Sequence, residues 1–123
     1  MSDDATSAPD PLELMQGNLD LISGVIPWGR RLGFRMTKVE KGRVWGVQPW
    51  KERLVGDPDT GVIHGGVLTA FLDNLCGTAA GSAMDHLRYV ATLDLRIDYM
   101  RPAEPRRDIL GEAECYHVTR SIC

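Results

Sequence analysis

Hydrophobic and polar positions divide the chain into segments of two periods, one helical and one extended. Leu12, Met15, Leu19 and Ile22 recur at helical spacing. Asp10 suits the N-cap, Pro11 the first helical position and Glu13 the carboxylate of a capping box, so a short amphipathic helix starts at Asp10. Gly24 and Pro27 stop it. Residues 1–9 are small, polar and end in Pro9, which predicts a disordered tail ahead of one domain over 10–123. From Gly33 the period changes. Gly33 to Val39 alternates loosely, Glu40 to Arg43 reads as a turn, and Val44 to Val47 resumes, which predicts a β-hairpin ended by Pro49 and Lys51-Glu52-Arg53. Gly56 to Gly61 is a loop by its Gly, Pro and Asp content.

Residues 66–84 form the most apolar stretch and are expected to be a buried helix. At 100° per residue, Leu68, Leu72, Leu75 and Ala79 share one face. Gly66, Ala70, Asp73, Gly77 and Ala80 share another, lined by small side chains apart from the aspartate. Strict alternation of Ala91, Leu93, Leu95, Ile97 and Tyr99 with Thr92, Asp94, Arg96 and Asp98 predicts a strand closed by Pro102 and Pro105. Asp108 to Val118 also reads as extended, with Ile109, Gly111, Ala113 and Cys115 on one side and Glu112 and Glu114 on the other. Strands grouped around one long helix imply an α+β domain with an antiparallel sheet wrapped on that helix.

At 123 residues there is room for one core only. A formal net charge of −3, with no Lys/Arg run longer than two, argues against nucleic acid. No apolar stretch reaches the roughly 20 residues of a membrane span, and nothing resembles a signal peptide. The three cysteines, Cys76, Cys115 and Cys123, are widely spaced and lack metal-binding intervals. They read as free thiols in a reducing cytoplasm.

Three features carry candidate chemistry. Asp73 is a carboxylate with no cation one helical turn away; burial of such a group demands hydrogen bonds, solvent or a function. Gly65-Gly66 at the helix start offers free N–H groups that suit an oxyanion, or else a tight turn. His64 suits a base, a ligand or a packed side chain that hydrogen-bonds the loop. HExxH, GxSxG, GxGxxG and P-loop patterns are all missing from the sequence, which argues against metal, serine-hydrolase, dinucleotide and ATP chemistry.

Gly61-Val62-Ile63-His64-Gly65-Gly66, Asp73, Gly77 and the stretch Thr92 to Ala103, with its T-x-D-x-x-x-x-Y-x-R-P pattern, together resemble the phenylacetate-degradation branch of the hot-dog thioesterases. The resemblance runs from about residue 25 to the C-terminus. It implies a hot-dog fold, an acyl-CoA substrate, no cofactor, and homodimers or tetramers of dimers with active sites at the dimer interface. By the same resemblance Asp73 is the nucleophile or the base that activates water. The Gly65 N–H stabilises the oxyanion, His64 orients the thioester, and Thr92 helps to position water from the partner chain. Gly66, Asn74 and Arg96 are expected to contact substrate. Many relatives carry an amide residue six positions before the His, where this chain has Pro58, with Asp57 and Asp59 beside it. The family pattern also continues beyond the stretch equivalent to His117–Cys123, so the domain reads as truncated. A non-catalytic acyl-CoA-binding or structural hot-dog module is the alternative.

Overall fold

A helix with bulky apolar side chains packs closely on a sheet only where the sheet leaves room, and two glycines leave it here. In the computed structural model, which describes residues 8–123, the strands β1 (Arg35–Glu40), β2 (Arg43–Gln48) and β5 (Ile109–Glu114) form one antiparallel sheet in the order β1-β2-β5. Gly46 and Gly111 are direct cross-strand partners in it. The helix α4 (Gly65–Ala83) lies against this sheet and drives Phe71 and Leu75 into the gap. A Cβ on Gly111 would stand 2.4 Å from Leu75 Cδ1 and 2.8 Å from Phe71 Cε1, so no larger residue fits without movement. Phe71 and Leu75 are fully buried, each contributing about 1.5–3 kcal/mol of transfer free energy. Phe34, Met36, Val39, Val44, Leu32 and Ala113 close around them.

The expected hairpin forms, with Lys41 and Gly42 at its turn. Its loose alternation has a cause. A bulge at Thr37 inserts one residue between the Met36↔Gly46 and Lys38↔Trp45 pairs, so Met36 and Val39 both face the core although three apart. Two buried serines staple helices to the hairpin. Ser82 Oγ accepts the Gly42 N–H at 3.0 Å, and Ser23 Oγ accepts the Met36 N–H at 2.8 Å.

The N-terminal region departs from the sequence reading. Asp10 caps as expected, accepting the Leu12 N–H at 3.1 Å. The single helix is instead α1 (Pro11–Gly17) and α2 (Leu19–Gly24), broken at Asn18, whose φ of −135° is not helical. The low helix propensity of Gly17 and the bond from Asn18 Nδ2 to the Leu14 carbonyl stabilise this break. Pro27, read as a stop, opens a further helix, α3 (Pro27–Leu32), at the position where proline is most compatible. The tail expected over 1–9 lies outside the described residues up to residue 7. Gly56–Gly61 is the tip of a short antiparallel ladder, β3 (Val55–Asp57) with β4 (Val62–Ile63), rather than a plain loop.

In α4 the core face is Val67, Phe71, Leu75 and Ala79, rotated from the predicted Leu68/Leu72 face; Leu68 and Leu72 are half-buried. Phe71 and Leu75 meet the two glycines, while Leu68 and Leu72 line a cavity beside Gly111. Residues 91–99 depart further from the strand that their pattern predicts. Their alternation is the cleanest in the sequence, yet they form no ladder. A cavity of about 250 Å³ separates residues 97–101 from Ile109–Gly111, so the segment runs beside α4 without a neighbouring strand. Alternation records two unlike faces, and pairing needs a partner as well. Leu93 is consequently 83% exposed.

Candidate functional site

The chain enters α4 through the short β3–β4 ladder, which fixes the backbone of His64. The His64 N–H donates to the Leu54 carbonyl at 2.9 Å, and a side chain on Gly56 would collide with His64 Cα. His64 is the N-cap. Its Nδ1 accepts the Gly66 N–H at 2.9 Å, which places the proton of the neutral ring on Nε2. Of the two backbone donors expected from Gly65-Gly66, that of Gly66 is therefore used internally. The Gly65 N–H has no acceptor among the described residues, as a first-turn helix donor lacks an intrahelical partner.

Asp73 sits two turns further on, half-buried. Thr92 Oγ1 donates to its Oδ1 at 2.6 Å, a charge-assisted hydrogen bond within one chain. Asp73, Gly77 and Ala80, the predicted small-residue stripe, line one wall of an open cavity of about 1150 Å³; Thr92, Leu93 and Arg96 contribute to the facing side. A Cβ on Gly77 would meet nothing within 4 Å, so the space beside the carboxylate is open. Cys76 shares the wall. Partial desolvation against the helix pushes its thiol pKa up although the residue is exposed overall, and the negative charge of Asp73 adds to the shift.

Other expected site residues are placed differently. Asn74 turns its amide back to the Ala70 carbonyl at 3.1 Å and does not line the cavity. Arg96 borders the cavity but pairs with Asp98 at 3.4 Å. Asp57 Oδ1 accepts the Asp59 N–H at 3.0 Å and Asp57 Oδ2 the Thr60 hydroxyl at 2.9 Å, so its carboxylate closes the turn around Pro58. Among the described residues no cluster of three or more His, Cys, Asp or Glu is placed to hold a metal ion, and no helix is long and apolar enough to cross a membrane.

A family-level comparison matches residues 60–123, which span His64, all of α4 and Thr92, to the thioesterase superfamily. The chain belongs to that superfamily. A protein of Pseudomonas aeruginosa with a crystal structure is similar to this thioesterase-superfamily chain at 34% identity and a TM-score of 0.74, covering 89% of this chain and 78% of that one. The fold is the hot-dog fold, an antiparallel sheet around a long central helix, as the resemblance implied. A Halobacterium salinarum protein that carries an esterase name is 34% identical over 77 residues, 60% of this chain and 50% of its own length. The medium/long-chain acyl-CoA thioesterase YigI of Salmonella typhimurium is 30% identical over 95 residues, 67% of this chain and 61% of its own. The chain thus spans about half to three-fifths of the curated relatives it matches.

Two hydroxyls at the site escaped the sequence reading of this superfamily member. Tyr99 OH lies 2.6 Å from Thr69 Oγ1 and donates to the Gly65 carbonyl at 3.0 Å. Its ring is 3.5 Å from the position a Gly65 Cβ would take. A signal was present: Gly65 and Thr69 are one turn apart, and Tyr99 stands in the motif that carried the resemblance.

Proposed function

We propose that this chain is an acyl-CoA thioesterase subunit in which Asp73 drives attack on the thioester carbonyl, directly or by deprotonating water. The observation that carries the reading is the 2.6 Å bond from Thr92 to one oxygen of Asp73, beside an open cavity. That bond holds the carboxylate in one rotamer and leaves Oδ2 for a proton or a carbonyl carbon. In the water route Asp73 takes a proton as the water oxygen bonds to the carbonyl carbon. The tetrahedral oxyanion then collapses, the C–S bond breaks, and the CoA thiolate leaves with the proton held on Asp73. The free Gly65 N–H suits the oxyanion, a role worth about 3–4 kcal/mol where single donors have been removed.

Within one chain these two groups lie far apart. Eight residues at about 1.5 Å each place Gly65 roughly 12 Å along the helix axis from Asp73, whereas a reacting carbonyl needs both within about 3 Å. This supports a site assembled between two copies, with Asp73 of one chain and Gly65 of the other, and hence a homodimer or a tetramer of such dimers. Similarity to the medium/long-chain acyl-CoA thioesterase YigI of Salmonella typhimurium makes medium- and long-chain acyl groups the first substrates to try. The unpaired cysteines suit a reducing cytoplasm. A second reading, a non-catalytic acyl-CoA-binding module, is favoured by Pro58 and by the occupied carboxylate of Asp57, which leave no amide donor at that turn.

The test is thiol release from aromatic and from short-, medium- and long-chain acyl-CoAs, comparing wild type with Asp73→Asn. Hydrolysis that falls at least about 100-fold in the variant supports the enzyme. Equal activity in both removes Asp73 from the mechanism, and silence across the panel from oligomeric protein favours the binding module.

A further inference from the structure

We infer that Tyr99 and Thr69 are positioning residues that clamp the first turn of α4 and so fix the direction of the free Gly65 N–H. The role in catalysis rests on the reading above; the clamp does not. Gly65 and Gly66 have no side chains to restrict their backbone, and a Gly-Gly helix start left alone samples widely. Two sets of contacts hold it here. His64 Nδ1 takes the Gly66 N–H. On the opposite side of the same peptide, the Gly65 carbonyl receives Tyr99 OH at 3.0 Å and Thr69 Oγ1 at 3.2 Å, while the two hydroxyls lie 2.6 Å apart.

Three contacts share two hydroxyl protons. In one arrangement Tyr99 donates to Gly65 and Thr69 donates to Tyr99; in the other Thr69 donates to Gly65 and Tyr99 donates to Thr69. Either way one hydroxyl proton is always on the Gly65 carbonyl. The Gly65–Gly66 peptide is therefore held at both its C=O and its N–H, and the Gly65 N–H next to it is aimed by a rigid unit. The segment that carries Tyr99 has no ladder to hold it. Its two hydroxyls that reach α4 land on the carboxylate, through Thr92, and on the donor turn, through Tyr99.

The test uses the full chain. Tyr99→Phe keeps the ring on Gly65 and removes only the hydroxyl, and Thr69→Val removes the other. Either single variant leaves the other hydroxyl on the Gly65 carbonyl, so the ¹⁵N relaxation order parameter of the Gly65 N–H is expected near 0.85 in wild type, little changed in each single variant, and to fall toward about 0.6 in the Tyr99→Phe/Thr69→Val double variant. With the best acyl-CoA found, kcat of the double variant is expected to drop about tenfold while KM stays within about twofold, as for an interaction made in the transition state. Thr69→Ser should retain both values. Thr78→Val, which deletes a similar hydroxyl-to-carbonyl bond to Asn74 further along the helix, should leave kcat unchanged. An order parameter unmoved in the double variant overturns the clamp. A lowered order parameter with unchanged kcat overturns its part in the reaction. A wild type that hydrolyses no acyl-CoA overturns the assigned reaction, and the order parameter then still decides whether the clamp exists.

Discussion

Adding one methyl group at Gly111 tests how the sheet accepts its helix. The new Cβ would stand 2.4 Å from Leu75 Cδ1, where ordinary contact begins at 3.4 Å, so at least 1.0 Å of separation must be found. Leu75 and Phe71 are fully buried, and Gly46 across the ladder is also tight, its Cβ position 3.0 Å from Leu75 Cδ2, so Leu75 is pressed from both strands. The Leu75 and Phe71 side chains must leave their packed positions, or the strand and helix must move apart. Overpacking of this kind costs about 1–3 kcal/mol. For a domain of this size that lowers the melting temperature by about 4–15 °C. Thermal unfolding followed by circular dichroism measures it. The mechanism also requires that Leu75→Ala partly relieve the strain, so that the double variant loses at least about 1 kcal/mol less than the sum of the singles. A Gly111→Ala melt within about 1 °C of wild type, or strictly additive losses, refutes the argument.

Thr92→Val removes the hydroxyl that holds Asp73. We expect kcat for acyl-CoA hydrolysis to fall about tenfold with the fold intact, since a hydrogen bond to a charged group contributes about 1.5–3 kcal/mol; kinetics equal to wild type would show that the carboxylate needs no such support. The Cys76 thiol, raised by partial desolvation and then by the charge of Asp73, has less thiolate at neutral pH than an ordinary cysteine. Iodoacetamide should therefore label Cys76 slowly at pH 7 and faster as pH rises. Asp73→Asn, by deleting the negative charge, should speed labelling at fixed pH; a slower rate in the variant would contradict the assigned direction.

The sequence carried the long helix and the hairpin because each depends on local periodicity plus burial on one face. It carried Asp73 and Thr92 as a pair only through the motif, since nineteen residues separate atoms that lie 2.6 Å apart. It placed the core face of α4 on leucines because an apolar count cannot see the Gly46/Gly111 gap, which is made by two strands distant in sequence. The strand over 91–99 failed for a related reason. Alternation is written in one segment, but a ladder belongs to two, and here the neighbouring space is a cavity. Asn74 was expected at the substrate because it adjoins Asp73. On a helix adjacent residues diverge by about 100°, and its amide returned to the helix carbonyl of Ala70.

The separation of Gly65 and Asp73 along α4 decides how many chains build one site. An α-helix is stiff over two turns, so no side-chain rearrangement brings a donor at its first residue and a carboxylate eight residues later onto one carbonyl. If both act, they act in different sites of one dimer, and each site takes one group from each chain. Gly65→Pro deletes the N–H at the helix position most tolerant of proline, and the extended ψ of 135° at His64 is what a residue before proline prefers. Gly65→Pro and Asp73→Asn homodimers should each be nearly inactive. Mixing them with subunit exchange gives heterodimers in which one site carries both changes and the other neither. For a two-fold dimer at random exchange, about a quarter of wild-type activity should return. A single-chain site gives no recovery at any mixing ratio, and that outcome would dismiss either Gly65 or the two-chain arrangement.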